Sequence, residues 1–107
     1  MQKIVLGLIE SVDLNGVSFS AKVDTGADRS SVCSSLVDKL HLKPTGKKAK
    51  INSASGTSIR PIVSGELIIK GKKFNVEFTV ANRNQVKYDV LIGKDILKKG
   101  FLVDPSK

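Results

Sequence analysis

Alternation of apolar and polar positions dominates this chain. "VSFSAKVD" places Val17, Phe19, Ala21 and Val23 at every second residue, the period of a half-buried strand. "KKFNVEFTV" repeats the pattern with Phe74, Val76, Phe78 and Val80. Ahead of the first of these, "KIVLGLIESV" reads as one strand and "DLNG" as a turn, because Asn15-Gly16 is a strong hairpin signal. "GELIIKGKKFNVEFTVAN" reads as a second hairpin turning at Gly71-Lys72. "YDVLIG" breaks the alternation with a continuous apolar run, as a central strand covered on both faces does. "SSVC" and "FLVDP" complete the set as short strands, with Pro105 ending the last one early.

Two stretches show a helical period instead. In "SSLVDKLHL", Leu36, Val37 and Leu40 fall on one face of a two-turn helix. Ser34 or Ser35 can cap it, Lys39 and His41 suit the negative end of its dipole, and Pro44 closes it. "KDILKKG" reads as a short helix ending at Gly100. Between these helices, two extended arms flank "SASGT", a small polar tip centred on Gly56. Such a tip has little to bury and is expected to move. Many short strands with close turns and two small helices predict a mainly β domain, closed or sandwich-like.

The length of 107 residues fits a single domain spanning 1–107. It leaves no room for a two-lobed enzyme, and chains this short often build sites by pairing subunits. No apolar run approaches the roughly 20 residues that span a bilayer. "MQKIVLGLIES" fits a first strand better than a signal peptide, so a cytoplasmic protein with no membrane partner is expected. Cys33 is the only cysteine, which excludes an intramolecular disulfide, and its setting in "SSVCSSL" suggests a buried small residue. As a nucleophile it would have only His41 for a partner; His41 itself reads as an ordinary helix-end residue.

A net charge of +8 raises the question of nucleic acid. The lysines are dispersed, however: Lys43, Lys47, Lys48 and Lys50 in one patch, Lys70, Lys72 and Lys73 at a turn, Lys94, Lys98 and Lys99 near the end. No helix carries a basic stripe and no aromatic platform accompanies them. A solvated surface is the favoured reading, with RNA or acidic protein tails as the alternative.

The chemistry lies in "AKVDTGADRSSV". An apolar strand delivers Asp24 onto a tight loop, where Gly26 lets backbone approach and donate an N–H to the carboxylate. Asp-Thr-Gly alone is a weak signal, and one carboxylate rarely does chemistry alone. Its context is more informative. "VDTGADRSSV", then "INSASGTSI", then "VLIGKDIL" resemble the three signatures of retropepsin-type aspartic proteases. Together with "RNQVKYDVLIGKDILKKGFLVDPSK", the match from Val17 to Lys107 is also similar to the bacterial and archaeal family labelled ATP-dependent zinc proteases.

The resemblance implies a single-lobed, closed retropepsin-like β-barrel that dimerises to form one active site. The missing partner of Asp24 is then Asp24 of a second copy. Two carboxylates about 3 Å apart share one proton, so one takes a proton from water while the other donates to the peptide carbonyl. Thr25 would make the hydrogen bonds across the subunits, with Gly26 and Ala27 completing the loop. In the pepsin-like variant of the motif a Ser often stands at the place of Ala27; alanine cannot donate, so activity is expected nearer neutral pH. Asp28 and Lys94 match positions that form a structural ion pair in retropepsins, where Arg more often fills the second place. Ile51 to Ile62 matches the flap, with Ser53, Ala54, Ser55, Gly56 and Thr57 at its tip, closing over a peptide or protein substrate held mainly by its backbone. Val32, Ile59, Val90 and Ile92 are candidate pocket walls, with core packing the favoured role for most of them.

A zinc site would need about three ligands. One His, one Cys and no H-E-x-x-H motif argue against a catalytic zinc site, and no metal or other cofactor is expected. The expected function is therefore an aspartic endopeptidase acting as a homodimer. The alternatives are a non-catalytic peptide-binding scaffold of the same fold and a basic domain binding RNA or acidic tails.

Overall fold

The computed structural model describes residues 2–53, 56–82 and 87–107. The described strands are β1 (Ile4–Leu6), β2 (Ile9–Leu14), β3 (Val17–Val23), β4 (Ser31–Cys33), β5 (Lys43–Ser53), β6 (Gly56–Ile69), β7 (Lys72–Ala81), β8 (Val90–Ile92) and β9 (Phe101–Val103). Two short helices, α1 (Ser35–Lys39) and α2 (Lys94–Leu97), interrupt them. The domain is mainly β, as the alternation predicts.

The main sheet runs β2-β3-β8-β4-β7-β6-β5, and β2 also pairs with β6, so the ladder closes on itself. β5 hangs outside this ring, bonded only to β6. β8 sits between β3 and β4, parallel to one and antiparallel to the other. Its central place suits its unbroken apolar run, with Val90 and Ile92 in the core and Leu91 half-buried. Val12, Leu14, Ala21, Val23, Leu67, Ile69, Phe78, Val90 and Ile92 fill the interior, every one at most 4% exposed. The alternate residues of β2 and β3 face solvent, which is why those strands alternate in sequence.

The turn at Asn15-Gly16 forms with φ of 49° and 87°, the left-handed pair that a tight hairpin requires. The second hairpin turns one residue earlier than expected, at Lys70-Gly71, with φ of 50° and 78° and with Ile69 opposite Lys72.

"KIVLGLIESV" divides into β1 and β2 rather than forming one strand. Gly7 makes the break: its N–H turns to Glu10 Oε2 at 2.6 Å, and a Cβ there would lie 2.7 Å from the Lys107 carbonyl oxygen. β1 then pairs parallel with β9 in a separate ribbon. β9 ends at Val103, before Pro105.

α1 is shorter than the two turns expected. His41 adopts φ +55°, Leu42 N–H reaches Val37 O at 3.0 Å, and His41 N–H reaches Asp38 O at 3.2 Å. This is a Schellman C-terminus with His41 in the left-handed position usually taken by Gly. Pro44, expected to close the helix, instead lies in β5, where an edge strand tolerates its missing N–H. Leu36 of α1 and Leu40 just beyond it are buried, and Val37 packs against the core. Cys33 is buried at 1% exposure as a free thiol.

Candidate active site

β3 carries the chain to Asp24. There the ladder to β8 continues for one more bond, from Asp24 N–H to Ile92 O at 2.9 Å. The chain then folds back on the carboxylate. Gly26 N–H donates to Asp24 Oδ1 at 2.9 Å, and Ala27 N–H donates to Asp24 O at 3.3 Å. A Cβ at position 26 would stand 3.3 Å from that same carboxylate oxygen, so the smallest residue suits the place. Asp24 and Ala27 are half-buried, and Thr25 is exposed.

The second half of the loop is fixed from the other direction by the start of α2. Lys94 N–H donates to Ala27 O at 2.8 Å. Ser30, fully buried, presents its N–H to both oxygens of Asp95 at 3.1 and 3.0 Å, and its hydroxyl donates to Asp95 Oδ1 at 2.7 Å. The same hydroxyl accepts Gly93 N–H at 2.9 Å. Gly93 has no room for a side chain, since a Cβ would meet the Arg29 carbonyl carbon and oxygen at 2.7 Å. "GADRS" and "IGKD" therefore interlock through backbone, one hydroxyl and one carboxylate.

Lys94 Nζ lies 3.0 Å from Asp28 Oδ1, but the side chains are 53% and 89% exposed. Water screens such a pair, so it is worth about 0–1 kcal/mol. The main fastening of this loop is Ser30 to Asp95, which sequence reasoning missed. The only sequence sign of it was a second acidic residue, Asp95, one place beyond Lys94.

The loop and the β5–β6 hairpin enclose a cleft of about 550 Å³. Asp24, Gly26, Ala27, Asp28 and Arg29 line one wall, Lys50, Ile51, Asn52 and Arg60 another, with Ser31, Thr79 and Leu91 between them. Three of the four candidate pocket walls take the core role favoured for them. Val32, Val90 and Ile92 are at most 1% exposed and belong to the core; Leu91, between the last two, faces the cleft. Ile59 is 69% exposed on the outer face of the hairpin, while its neighbour Arg60 lines the cleft. At β8 a shift of one residue reverses the face, as strand geometry demands.

Of the hairpin tip, Ser53 ends β5, Gly56 begins β6 with φ +121°, and the Thr57 hydroxyl donates to Asn52 Oδ1 at 2.9 Å. Ala54 and Ser55 lie outside the described residues. Among the described residues, no group of three His, Cys, Asp or Glu side chains is arranged to hold a metal ion. No helix among them is long and apolar enough to cross a membrane.

Fold and loop together are those of an aspartic protease domain of the retroviral kind. The family described as "gag-polyprotein putative aspartyl protease" matches residues 11–99, and the chain belongs to it. No curated protein sequence matches the chain. Among solved structures, a protein of unknown function (DUF785) from Legionella pneumophila superposes with a TM-score of 0.71 at 20% identity, covering 97% of this chain and 95% of that one. EIAV protease, solved with the inhibitor HBY-793, gives a TM-score of 0.68 at 22% identity over 84% of each chain. Simian foamy virus (mac) protease gives 0.65 at 16% identity, covering 84% of this chain and 91% of that one. At these identities the likeness is one of fold.

Proposed function

We propose that the protein is an aspartic endopeptidase whose active site forms when two copies bring their Asp24 carboxylates together. The observation that carries this reading is a carboxylate held by Gly26 N–H at the wall of a peptide-sized cleft, on a loop fastened at both ends. The other carboxylate in that lining, Asp28, is engaged by Lys94. In the dimer the two Asp24 side chains share a proton. One carboxylate takes a proton from water as the water attacks the peptide carbonyl, and the other protonates the carbonyl oxygen. Thr25, exposed on each loop, bonds across the two-fold axis. The β5–β6 hairpins close as flaps over a substrate held in extended form.

The face for the second copy is suggested by exposed apolar side chains. Val5 and Leu102 are partners in the β1–β9 ribbon and are 36% and 52% exposed. Leu8 and Ile9 follow at 46% and 44%. Leu8 O accepts Val23 N–H at 2.9 Å, so this apolar patch borders the residue before Asp24. Because β1 already pairs with β9 of its own chain, the two copies would meet side by side through this ribbon rather than by exchanging strands. A cytoplasmic location suits the unpaired thiol of Cys33.

The test is cleavage of a peptide library by wild type and Asp24→Asn. General acid–base catalysis supplies about 10²–10⁴-fold, and at least that loss is expected. A variant that cuts as fast as wild type eliminates the mechanism.

A further inference from the structure

The lysines look dispersed along the sequence, but the fold gathers four of them at one end of the domain. Ile4 N–H bonds to Gly100 O at 3.0 Å, and Ile4 is the partner of Phe101. Lys3, the residue before Ile4, therefore enters beside Lys98 and Lys99, the two before Gly100. The β6–β7 turn adds Lys72. Its Nζ stands 5.9 Å from the centroid of the Phe101 ring, and a Cβ on Gly100 would lie 3.7 Å from it. All four lysines are exposed. None of them forms an ion pair with a described residue, whereas Lys47, Lys70, Lys73 and Lys94 all do.

Two of these amines are held in place. Lys99 Nζ lies 5.8 Å from the centroid of the Phe74 ring, and the Phe74 and Phe101 rings meet edge to face at 6.0 Å. Adjacent rings thus carry one ammonium each. Lysine is among the costliest side chains to order, and a cation–π contact restricts it in advance of any ligand. Ammonium groups gathered without carboxylates repel one another, and a polyanion relieves that repulsion. The four are all lysines. A planar carboxylate is matched by the arginine fork, whereas an ammonium is a point charge that meets a phosphate oxygen without a fixed orientation. A flexible single strand of nucleic acid supplies such phosphates in series.

We propose that this lysine face binds single-stranded nucleic acid through its phosphates. The lining of the Asp24 cleft includes none of the four lysines, and the site stands whether or not the protein cuts peptides. The Phe74 and Phe101 rings lie under lysines and offer bases no stacking platform, so the contacts are with the backbone.

The experiment is an anisotropy titration of wild type with a fluorescent oligouridine between about 50 and 200 mM salt. Four phosphate contacts on a single strand give a slope of log affinity against log salt of about −3. Lys72→Gln combined with Lys99→Gln should weaken binding at least about tenfold at the lower salt and bring the slope to roughly half. Lys43→Gln combined with Lys48→Gln removes the same charge from exposed positions of β5 and should weaken binding by less than about threefold. Circular dichroism confirms that both double variants are folded. Equal losses in the two overturn the proposal, because net charge alone would then explain the binding. Absence of binding at the lower salt overturns it as well. A polyglutamate chain that binds as tightly as the oligouridine through Lys72 and Lys99 overturns it in favour of an acidic protein partner.

Discussion

Asp95 grips Ser30 at both its backbone and its side chain, and Ser30 in turn receives the N–H of Gly93. One carboxylate at the start of α2 thereby sets where the Asp24 loop ends. A hydrogen bond to a charged group contributes about 1.5–3 kcal/mol, and a buried donor left unpaired costs about 1–3. Asp95→Ala should therefore lower stability in urea unfolding by about 2–4 kcal/mol. Asp28→Ala and Lys94→Ala should each cost no more than about 1 kcal/mol, because their pair is exposed. Equal losses for all three would show that the exposed pair, and not Ser30–Asp95, fastens the loop.

His41 holds a left-handed backbone at the end of α1, where glycine bears no Cβ penalty. The left-handed conformation costs an ordinary residue about 1–2 kcal/mol, partly offset by the extra freedom that glycine brings to the unfolded chain. His41→Gly should raise stability by about 0.5–1 kcal/mol, and His41→Val should lower it. The midpoint of urea unfolding reads both. A destabilised glycine variant would mean that the imidazole contributes more than the backbone strain costs.

The ribbon of β1 and β9 offers a further check. Val5 and Leu102 lie side by side facing solvent. If a second copy covers them, Leu102→Lys places two like charges near the two-fold axis and removes apolar contact. Sedimentation at micromolar concentration should then show at least a tenfold weaker dimer, or about 1.4 kcal/mol, with the monomer fold intact. Peptide cleavage should fall with dimer content and recover at higher protein concentration. An unchanged dimer would put the interface elsewhere.

What the sequence shows of this molecule is mostly what is local. Asn15-Gly16 announces its turn because left-handed backbone needs those residue types. The apolar run of Val90 to Ile92 announces a central strand, which lies between β3 and β4. The Asp-Thr-Gly loop stands out because Gly26 must approach a carboxylate oxygen. Other features depend on distant pairings. Ring closure joins Val12–Leu14 to Leu67–Ile69, a register that no local pattern encodes. Leu91 rather than Val90 faces the cleft because pairing across the sheet decides parity. The hold of Asp95 on Ser30 spans 65 residues, and only the fold makes them neighbours.

Ala27 bears on the pH at which the proposed dyad works. It lines the cleft one residue beyond Gly26, with its N–H on the Asp24 carbonyl and its own carbonyl accepting from Lys94 N–H. A methyl group there gives the carboxylates no hydroxyl donor. Hydrogen bonding to the charged form favours ionisation, so its absence leaves the shared proton more firmly held. The acidic limb of the rate profile tracks loss of the singly ionised dyad, and it should lie nearer neutrality than in a site supplied with that donor. Ala27→Ser adds a hydroxyl to the cleft lining that Asp24 shares. If it donates, the singly ionised pair persists to lower pH and the acidic limb of kcat/KM moves down. The measurement is kcat/KM from about pH 3 to 8 for wild type and Ala27→Ser, with dimer content followed at each pH. A wild-type optimum below about pH 4 contradicts the argument, as does a serine variant whose acidic limb stays in place or moves upward.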